Sequence, residues 1–322
     1  MIFNRRQTIL GLGATGAMIV AGAPSLALHT LAGPAFGSSW RVIASGHPAD
    51  AAAQRSTIER IISEVDAVMS PYRYASELSR FNRAQSTDWQ PISPGTANVA
   101  TEALRLAAQT SGAFDPTVGP MVGRSGFGPI TGDMGRYDSI TVQDEALRKE
   151  RPGLTLDLCG IAKGYALDRI AATLSEQAES GAMIEIGGEV MALGEHPDGR
   201  PWQVAVLDPS GVAAAIHRIV APGRLALATS GHSENGLRDP VAISHIIDPN
   251  RGRTARMSIA SVSVLAETGM QADAIATALC AVGAEDGILM AEQLGVSALF
   301  ITDGKRAPRE VMTGAFVDHV IV

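Results

Sequence analysis

Apolar residues recur at three- and four-residue intervals across residues 49–69, through Ile58, Ile61, Ile62, Val65, Val68 and Met69, and predict an amphipathic helix. The same periodicity predicts helices over 96–110, closed near Gly112, and over 162–178, 270–282 and 285–294. Short β-like runs lie between them, at 39–45, 139–142, 154–158, 183–186, 202–207, 225–229, 243–247, 259–266 and 298–302. Helices and strands interleave without a regular βαβ rhythm. That order predicts an α+β fold: mixed or antiparallel sheets with packed helices in one compact two-lobed unit, not a Rossmann fold. No internal repeat, low-complexity block or linker divides the chain.

The first forty residues follow a different rule. Asn4-Arg5-Arg6-Gln7-Thr8-Ile9-Leu10 has the form of a twin-arginine export signal, and no Asp, Glu, Lys or Arg occurs between Arg6 and Arg41. Ala21-Gly22-Ala23 offers a small-x-small cleavage site, and cleavage near Ala27 is equally admissible. The expectation is a signal segment over 1–30, a single domain over 31–322, and a periplasmic protein. An uncleaved membrane anchor is the alternative, disfavoured because glycines and Pro24 make a poor spanning helix. A lipoprotein is excluded, since no cysteine precedes Cys159. Gly11-Leu12-Gly13-Ala14-Thr15-Gly16 fits the dinucleotide-binding fingerprint but lacks the preceding buried strand and βαβ unit, so it reads as signal-peptide glycine.

Composition narrows the partners. The chain has 322 residues, 46% of them hydrophobic, and a formal net charge of −7, which argues against a nucleic-acid partner. A polyanionic cofactor remains compatible where a cation screens its phosphates. Two cysteines, Cys159 and Cys280, are too few for a disulfide framework or a thiolate zinc site.

Three stretches carry candidate chemistry. Asp273 and Thr277 stand four apart on a predicted helix and share one face; a carboxylate and a hydroxyl offered together suit a hard cation such as Mg²⁺, or an ordinary surface hydrogen bond. Leu156-Asp157-Leu158-Cys159-Gly160-Ile161-Ala162-Lys163-Gly164-Tyr165 reads as strand, turn and helix start, where backbone N–H groups and Lys163 attract phosphate, although no P-loop is present. His245, in Ser244-His245-Ile246-Ile247-Asp248-Pro249, is either a core histidine or a positioned general base. His29, His196, His217 and His319 have no acidic or hydroxyl companion nearby and read as incidental.

Taken in order, these stretches acquire a pattern. Met69-Ser70-Pro71-Tyr72, Ser76-Glu77-Leu78-Ser79-Arg80-Phe81-Asn82, Phe114-Asp115-Pro116-Thr117-Val118-Gly119-Pro120 and Gly126-Phe127-Gly128 are followed by the 157–168 block and Gly187-Gly188-Glu189-Val190. Pro197-Asp198-Gly199-Arg200-Pro201-Trp202, Thr229-Ser230-Gly231, His245–Pro249 and Ala272–Leu279 complete the series. The chain resembles the ApbE flavin transferases from about residue 36 to residue 280. The resemblance implies an enzyme that moves FMN from FAD to a threonine or serine hydroxyl of an acceptor protein, using Mg²⁺ and releasing AMP. It implies metal ligands at Asp273, Thr277 and the backbone carbonyl of Ala162, and a catalytic role for His245. It also implies that Tyr72 stacks on a flat ring of FAD, that Lys163 binds its phosphates, and that Phe36, Phe114, Asp115, Cys159, Tyr165 and Ile247 line its pocket. Exported members with twin-arginine leaders serve a flavinylated membrane partner beside nitrous oxide reductase, and this chain resembles that subgroup. Two other readings are an FAD pyrophosphatase that yields FMN and AMP, and a periplasmic flavin-binding protein without turnover. The chain departs from the pattern at Phe36-Gly37-Ser38 (commonly Met-Gly-Thr), at Cys159 (commonly Gly), at Ser125 (commonly Trp) and at His232-Ser233-Glu234-Asn235-Gly236. The last two bear on acceptor recognition.

Overall fold

The computed structural model describes residues 28–45, 51–177, 181–209, 215–232, 244–255, 258–302 and 309–322. In chain order the elements begin with β1 (Leu28–Ala35), β2 (Ser38–Ser45), α1 (Ala51–Met69), α2 (Glu77–Arg83), β3 (Gln90–Pro91), α3 (Pro94–Gln109) and α4 (Gly119–Arg124). Then come β4 (Ile140–Gln143), β5 (Ala146–Lys149), α5 (Cys159–Gln177), β6 (Ala182–Ile186), β7 (Glu189–Leu193), β8 (Val204–Leu207), β9 (Ile216–Val220) and β10 (Ala226–Gly231). The chain closes with β11 (Ile247–Asp248), β12 (Arg253–Thr254), β13 (Ile259–Ala266), α6 (Gly269–Val282), α7 (Ala284–Leu294), β14 (Ser297–Thr302) and β15 (Arg309–Thr313).

An eight-stranded sheet in the order β1-β2-β6-β7-β10-β13-β14-β15 organises the molecule, with every neighbouring pair antiparallel. The α+β expectation therefore holds. Because side chains alternate across a strand, β14 feeds two cores. Ala298 and Phe300 join the main core with α1, α3, α5 and α6, while Leu299 and Ile301 join a smaller core with Val206, Val220 and Phe316 on the opposite face. Helix α6 is buried on nearly every side, which explains why its sequence lacks a polar stripe.

Glycine decides how closely α5 and α6 pack. A methyl group at Gly164 would sit 2.2 Å from the Gly269 carbonyl oxygen, so the two backbones touch where each lacks a side chain. Asp168 of α5 accepts hydrogen bonds from the Gly269 and Met270 N–H groups at 2.6 and 3.1 Å, and so caps the start of α6 across the seam.

Three expectations need correction. The run at 154–158 is buried, but it forms no strand of a sheet; Leu154 makes one isolated bridge to Asp133. Side chains take several of its backbone bonds: Asn82 Nδ2 donates to Leu156 O, Leu156 N donates to Asn82 Oδ1, and Lys149 Nζ donates to Leu154 O, while Asp157 N donates to Pro116 O. The predicted strand at 243–247 reduces to Ile247–Asp248, with Ile243 outside the described residues. The boundary at 30 falls too late, because Leu28, His29 and Thr30 already pair with Ser45, Ala44 and Ile43. Residues 1–27, which carry the twin arginines and the glycine fingerprint, lie outside the described residues. Among the described residues no helix is long and apolar enough to cross a membrane.

Candidate active site

The close α5–α6 seam sets the first corner of the site. Asp273, on the second turn of α6, is buried, and its Oδ2 accepts the Gly164 N–H at 3.3 Å. Lys163 Nζ lies 3.9 Å from Asp273 Oδ1 and 2.5 Å from Oε1 of Glu189. Glu189 is 1% exposed, and its second oxygen, Oε2, is buried without a hydrogen-bond partner. Burial drives the Glu189 carboxyl up to about 8, against the opposing pull of Lys163, and burial also raises Asp273. Two buried carboxyl groups flank one ammonium here, and both are pushed up by burial. A further positive charge beside the pair would offset that desolvation and favour the ionised forms.

One turn along α6, Thr277 Oγ1 lies 3.4 Å from Ser230 Oγ at the end of β10. A methyl group at Gly160 would stand 3.6 Å from Thr277 Oγ1 and 3.2 Å from the Phe114 ring, so the kinked start of α5 lies between them. The side-chain donors at hand are a carboxylate and hydroxyls, all oxygen; Asp273 Oδ2 accepts one long bond from Gly164 N–H, and Glu189 Oε2 nearby is buried without a partner. That set fits a hard divalent cation that takes few protein ligands and fills its shell with water or phosphate. Among the described residues no group of three His, Cys, Asp or Glu side chains is arranged to hold a metal ion.

The turn that bounds this corner is strained. Phe36 and Gly37 link β1 to β2 with φ of 48° and 80°, the mirror-image hairpin turn that usually takes Asn-Gly. A bulky residue there costs about 1 kcal/mol or more, and Phe36 repays some of it by packing against the main core. At the β6–β7 turn, a methyl group on Gly187 (φ 58°) would lie within 3.7 Å of Lys163, Ser38 and Glu189 Oε2. The two turns and the Lys163–Glu189 pair thus meet at one point.

The second side is a rim. Tyr72 is 70% exposed and donates its hydroxyl to Phe127 O at 3.0 Å. Its phenol is pushed up by partial burial and by nearby Cys159 and Asp157. The Phe127 ring meets the His245 imidazole edge-on, with centroids 5.9 Å apart at 61°. His245 Nδ1 is buried without a partner. Burial, then the charges of His232 and Lys163, hold the imidazole down at about 4, so it is neutral at pH 7.

The remaining expected residues divide. Phe114 reaches the corner, and Cys159 opens α5 as a free, exposed thiol with its N–H donated to Asp157. Asp115 is buried and occupied, accepting from Thr117 N, Thr117 Oγ1 and Tyr137 N, so it shapes the turn behind Phe114. Ile247 is buried and pairs with Thr254. Tyr165 is not brought to this corner: two residues along a helix point some 200° apart, and its hydroxyl end lies against Gly95. It lines a cavity of about 350 Å³ with Val68, Met69 and Arg169. Glu189 and Ser230 had no assigned role from sequence alone. A carboxylate directly after two glycines at a strand start was the available signal for Glu189.

A profile described as the ApbE family matches residues 36–300. The chain belongs to the ApbE family. It is 37% identical over 314 residues to a Vibrio cholerae protein named FAD:protein FMN transferase, covering 91% of this chain and 92% of that one. A Salmonella typhimurium protein of the same name is 32% identical, covering 86% and 85%. The solved structure of Flavin Transferase ApbE from Vibrio cholerae superposes with a TM-score of 0.82 at 35% identity, over 91% of this chain and 100% of that chain. The apo form of Pseudomonas stutzeri flavinyl transferase ApbE gives 0.81 at 28% identity, over 91% and 96%. The glycine-packed seam, the Lys163 corner and the Tyr72 rim therefore belong to an ApbE fold.

Proposed function

We propose that this chain transfers FMN from FAD to a threonine or serine hydroxyl of an exported or membrane acceptor protein, with release of AMP. The observation that carries this reading is the Lys163 ammonium held between Glu189 and Asp273 at the start of α5. Helix N-terminal N–H groups and an ammonium together bind a pyrophosphate. Lys163 binds phosphate oxygen, while Tyr72 offers an exposed ring to the flavin. Asp273, Thr277 and the carbonyl of Ala162 would hold Mg²⁺, which when bound neutralises charge on the pyrophosphate. The acceptor hydroxyl oxygen attacks the phosphorus of the FMN half. The bond from that phosphorus to the bridging oxygen breaks, and the electron pair leaves on AMP. His245, neutral at pH 7, takes the hydroxyl proton, and the arriving anionic phosphates raise its basicity by offsetting the field of Lys163.

Export by the twin-arginine route, with cleavage ahead of strand β1, would put the reaction in the periplasm. The Arg5-Arg6 leader supports this, and the resemblance to exported members supports an acceptor that works beside nitrous oxide reductase. The test is incubation with FAD, Mg²⁺ and that acceptor. A transferase leaves flavin fluorescence on the acceptor band after denaturing electrophoresis. Free FMN without labelled acceptor would establish a pyrophosphatase instead, and unchanged FAD would establish a binding protein.

A further inference from the structure

Three buried side chains outside the transfer scheme form a chain leading to His245. His232 directly follows β10 and is 4% exposed; Ser244 precedes His245 and is 1% exposed; Cys280 lies on α6, two turns beyond Asp273, and is fully buried. His232 Nδ1 stands 2.7 Å from Ser244 Oγ, and its Nε2 stands 3.8 Å from Cys280 Sγ. Ser244 Oγ also accepts the Ile246 N–H at 3.0 Å, a bond that spans His245 itself. Beyond it, Ile246 O accepts from Ala255 N at 2.8 Å and Ile247 pairs with Thr254. The backbone on both sides of His245 is therefore held.

The imidazole is not held in the same way. A histidine base is commonly oriented by a hydrogen bond to its second nitrogen. Here Nδ1 has no partner, and the ring contact is the edge of Phe127. Orientation must then come through the backbone, and the Ser244 bond across His245 is the device that supplies it. Cys280 ties the same unit to the helix that carries Asp273, so the base and the metal corner share one buried anchor.

We infer that Ser244 and His232 are positioning residues for His245, with Ser244 fixing the backbone across it and His232 anchoring Ser244 against α6. This rests on His245 being the proton acceptor. A misplacement near 1 Å costs on the order of a hundredfold in a reaction that depends on geometry. The experiment measures single-turnover FMN transfer, FAD affinity and melting temperature for Ser244→Ala, Ser244→Thr, His232→Leu and His232→Asn, with Ser244→Ala repeated in a His245→Ala background. The expected result is a loss of about tenfold to a hundredfold in transfer for Ser244→Ala and His232→Leu, with FAD affinity within about twofold of wild type. Ser244→Thr, which keeps the hydroxyl, and His232→Asn, whose side-chain amide reaches the Nδ1 position, should recover most of the rate. In the His245→Ala background Ser244→Ala should add nothing, because the coupling between the two sites is then complete. Transfer by Ser244→Ala within about twofold of wild type would overturn the inference. So would a parallel loss of FAD affinity, or a Ser244 effect that persists without His245. If His245→Ala alone keeps transferring, the base assignment fails and takes this inference with it, a result visible in that single variant.

Discussion

The α5–α6 corner and the Tyr72–Phe127–His245 rim border the same site and are built on opposite plans. At the corner, two helices meet through glycines, and the half-buried Lys163 makes a short contact with buried Glu189 and a longer one with buried Asp273. At the rim, one hydroxyl-to-carbonyl bond and one aromatic edge link an exposed Tyr72 through Phe127 to a half-buried His245. The difference matches the two halves of the proposed substrate. A pyrophosphate needs charges placed in advance, since preorganised electrostatics cost no rearrangement during reaction. A flat flavin and an incoming protein loop need room.

The sharpest break at the corner removes its charge. Asp273→Ala deletes the buried carboxylate of the oxygen donor set and leaves Lys163 paired with Glu189 alone. Several kcal/mol of charge stabilisation correspond to a loss of roughly a hundredfold to a thousandfold, and the residual rate should no longer respond to Mg²⁺. Turnover equal in EDTA and in Mg²⁺ for the wild-type enzyme would remove the metal from the scheme. Thr277→Ala should be milder, because water can replace a neutral ligand.

Separating the helices should cost stability as well as rate. Gly164→Ala puts a methyl group 2.2 Å from the Gly269 carbonyl oxygen, and backbone on backbone cannot yield as a side chain can. Overpacking of this kind costs about 1–3 kcal/mol, here at the upper end because backbone meets backbone, read as a fall in melting temperature in calorimetry, with FMN transfer falling in step. An unchanged melting temperature would mean that the seam is looser than its geometry.

The rim can be read through pH. Burial holds His245 at about 4 in the folded protein, against an ordinary value near 6.5. Between these values the unfolded chain binds the extra proton, so stability is fully present above pH 6.5 and falls as pH drops towards 4. The expected loss is about 3 kcal/mol from this one group. Asp168, raised to about 6 mainly by burial, acts in the opposite sense, since its contribution is lost as pH rises through 6. Comparing denaturant midpoints of wild type and His245→Leu across pH 4–7 isolates the histidine, because Asp168 is common to both. Parallel curves would show that the imidazole is not desolvated.

Much of the helical frame was legible because its signal is local. The stripe from Ile58 to Met69 and the apolar run of α6 place those helices within about two residues, as periodicity should. Strand β1 was missed because Gly33, Pro34 and an uncharged leader blur into one another. The alternation of Leu154, Leu156 and Leu158 correctly reports burial but not pairing, since Asn82 and Lys149 take the bonds a neighbouring strand would make. Helical spacing puts Asp273 and Thr277 on one face of α6, and the structure keeps them one turn apart there. The Lys163–Glu189 pair spans 26 residues between a helix and a strand, and no spacing rule announces it. Tyr165 shows the converse: it sits two residues from Lys163 in sequence, and the helix turns it towards Gly95.

The smallest change tests whether the two plans really differ. Gly126, at the rim between Ser125 and Phe127, has φ of 86°, and a methyl group there would meet nothing within 4 Å. Gly126→Ala therefore carries only the conformational penalty of a left-handed residue, about 1 kcal/mol, with no steric cost. It is the same chemical substitution as Gly164→Ala, made where the surroundings are open. Its melting temperature should fall by a third or less of the Gly164→Ala shift, and FAD affinity should stay near wild type, because Phe127 O still accepts from Tyr72. Transfer to the acceptor protein is the sensitive readout, since Phe127 is the ring that touches His245. If Gly126→Ala destabilises as strongly as Gly164→Ala, the rim is packed as tightly as the corner, and the contrast between a preset phosphate site and an open flavin side fails.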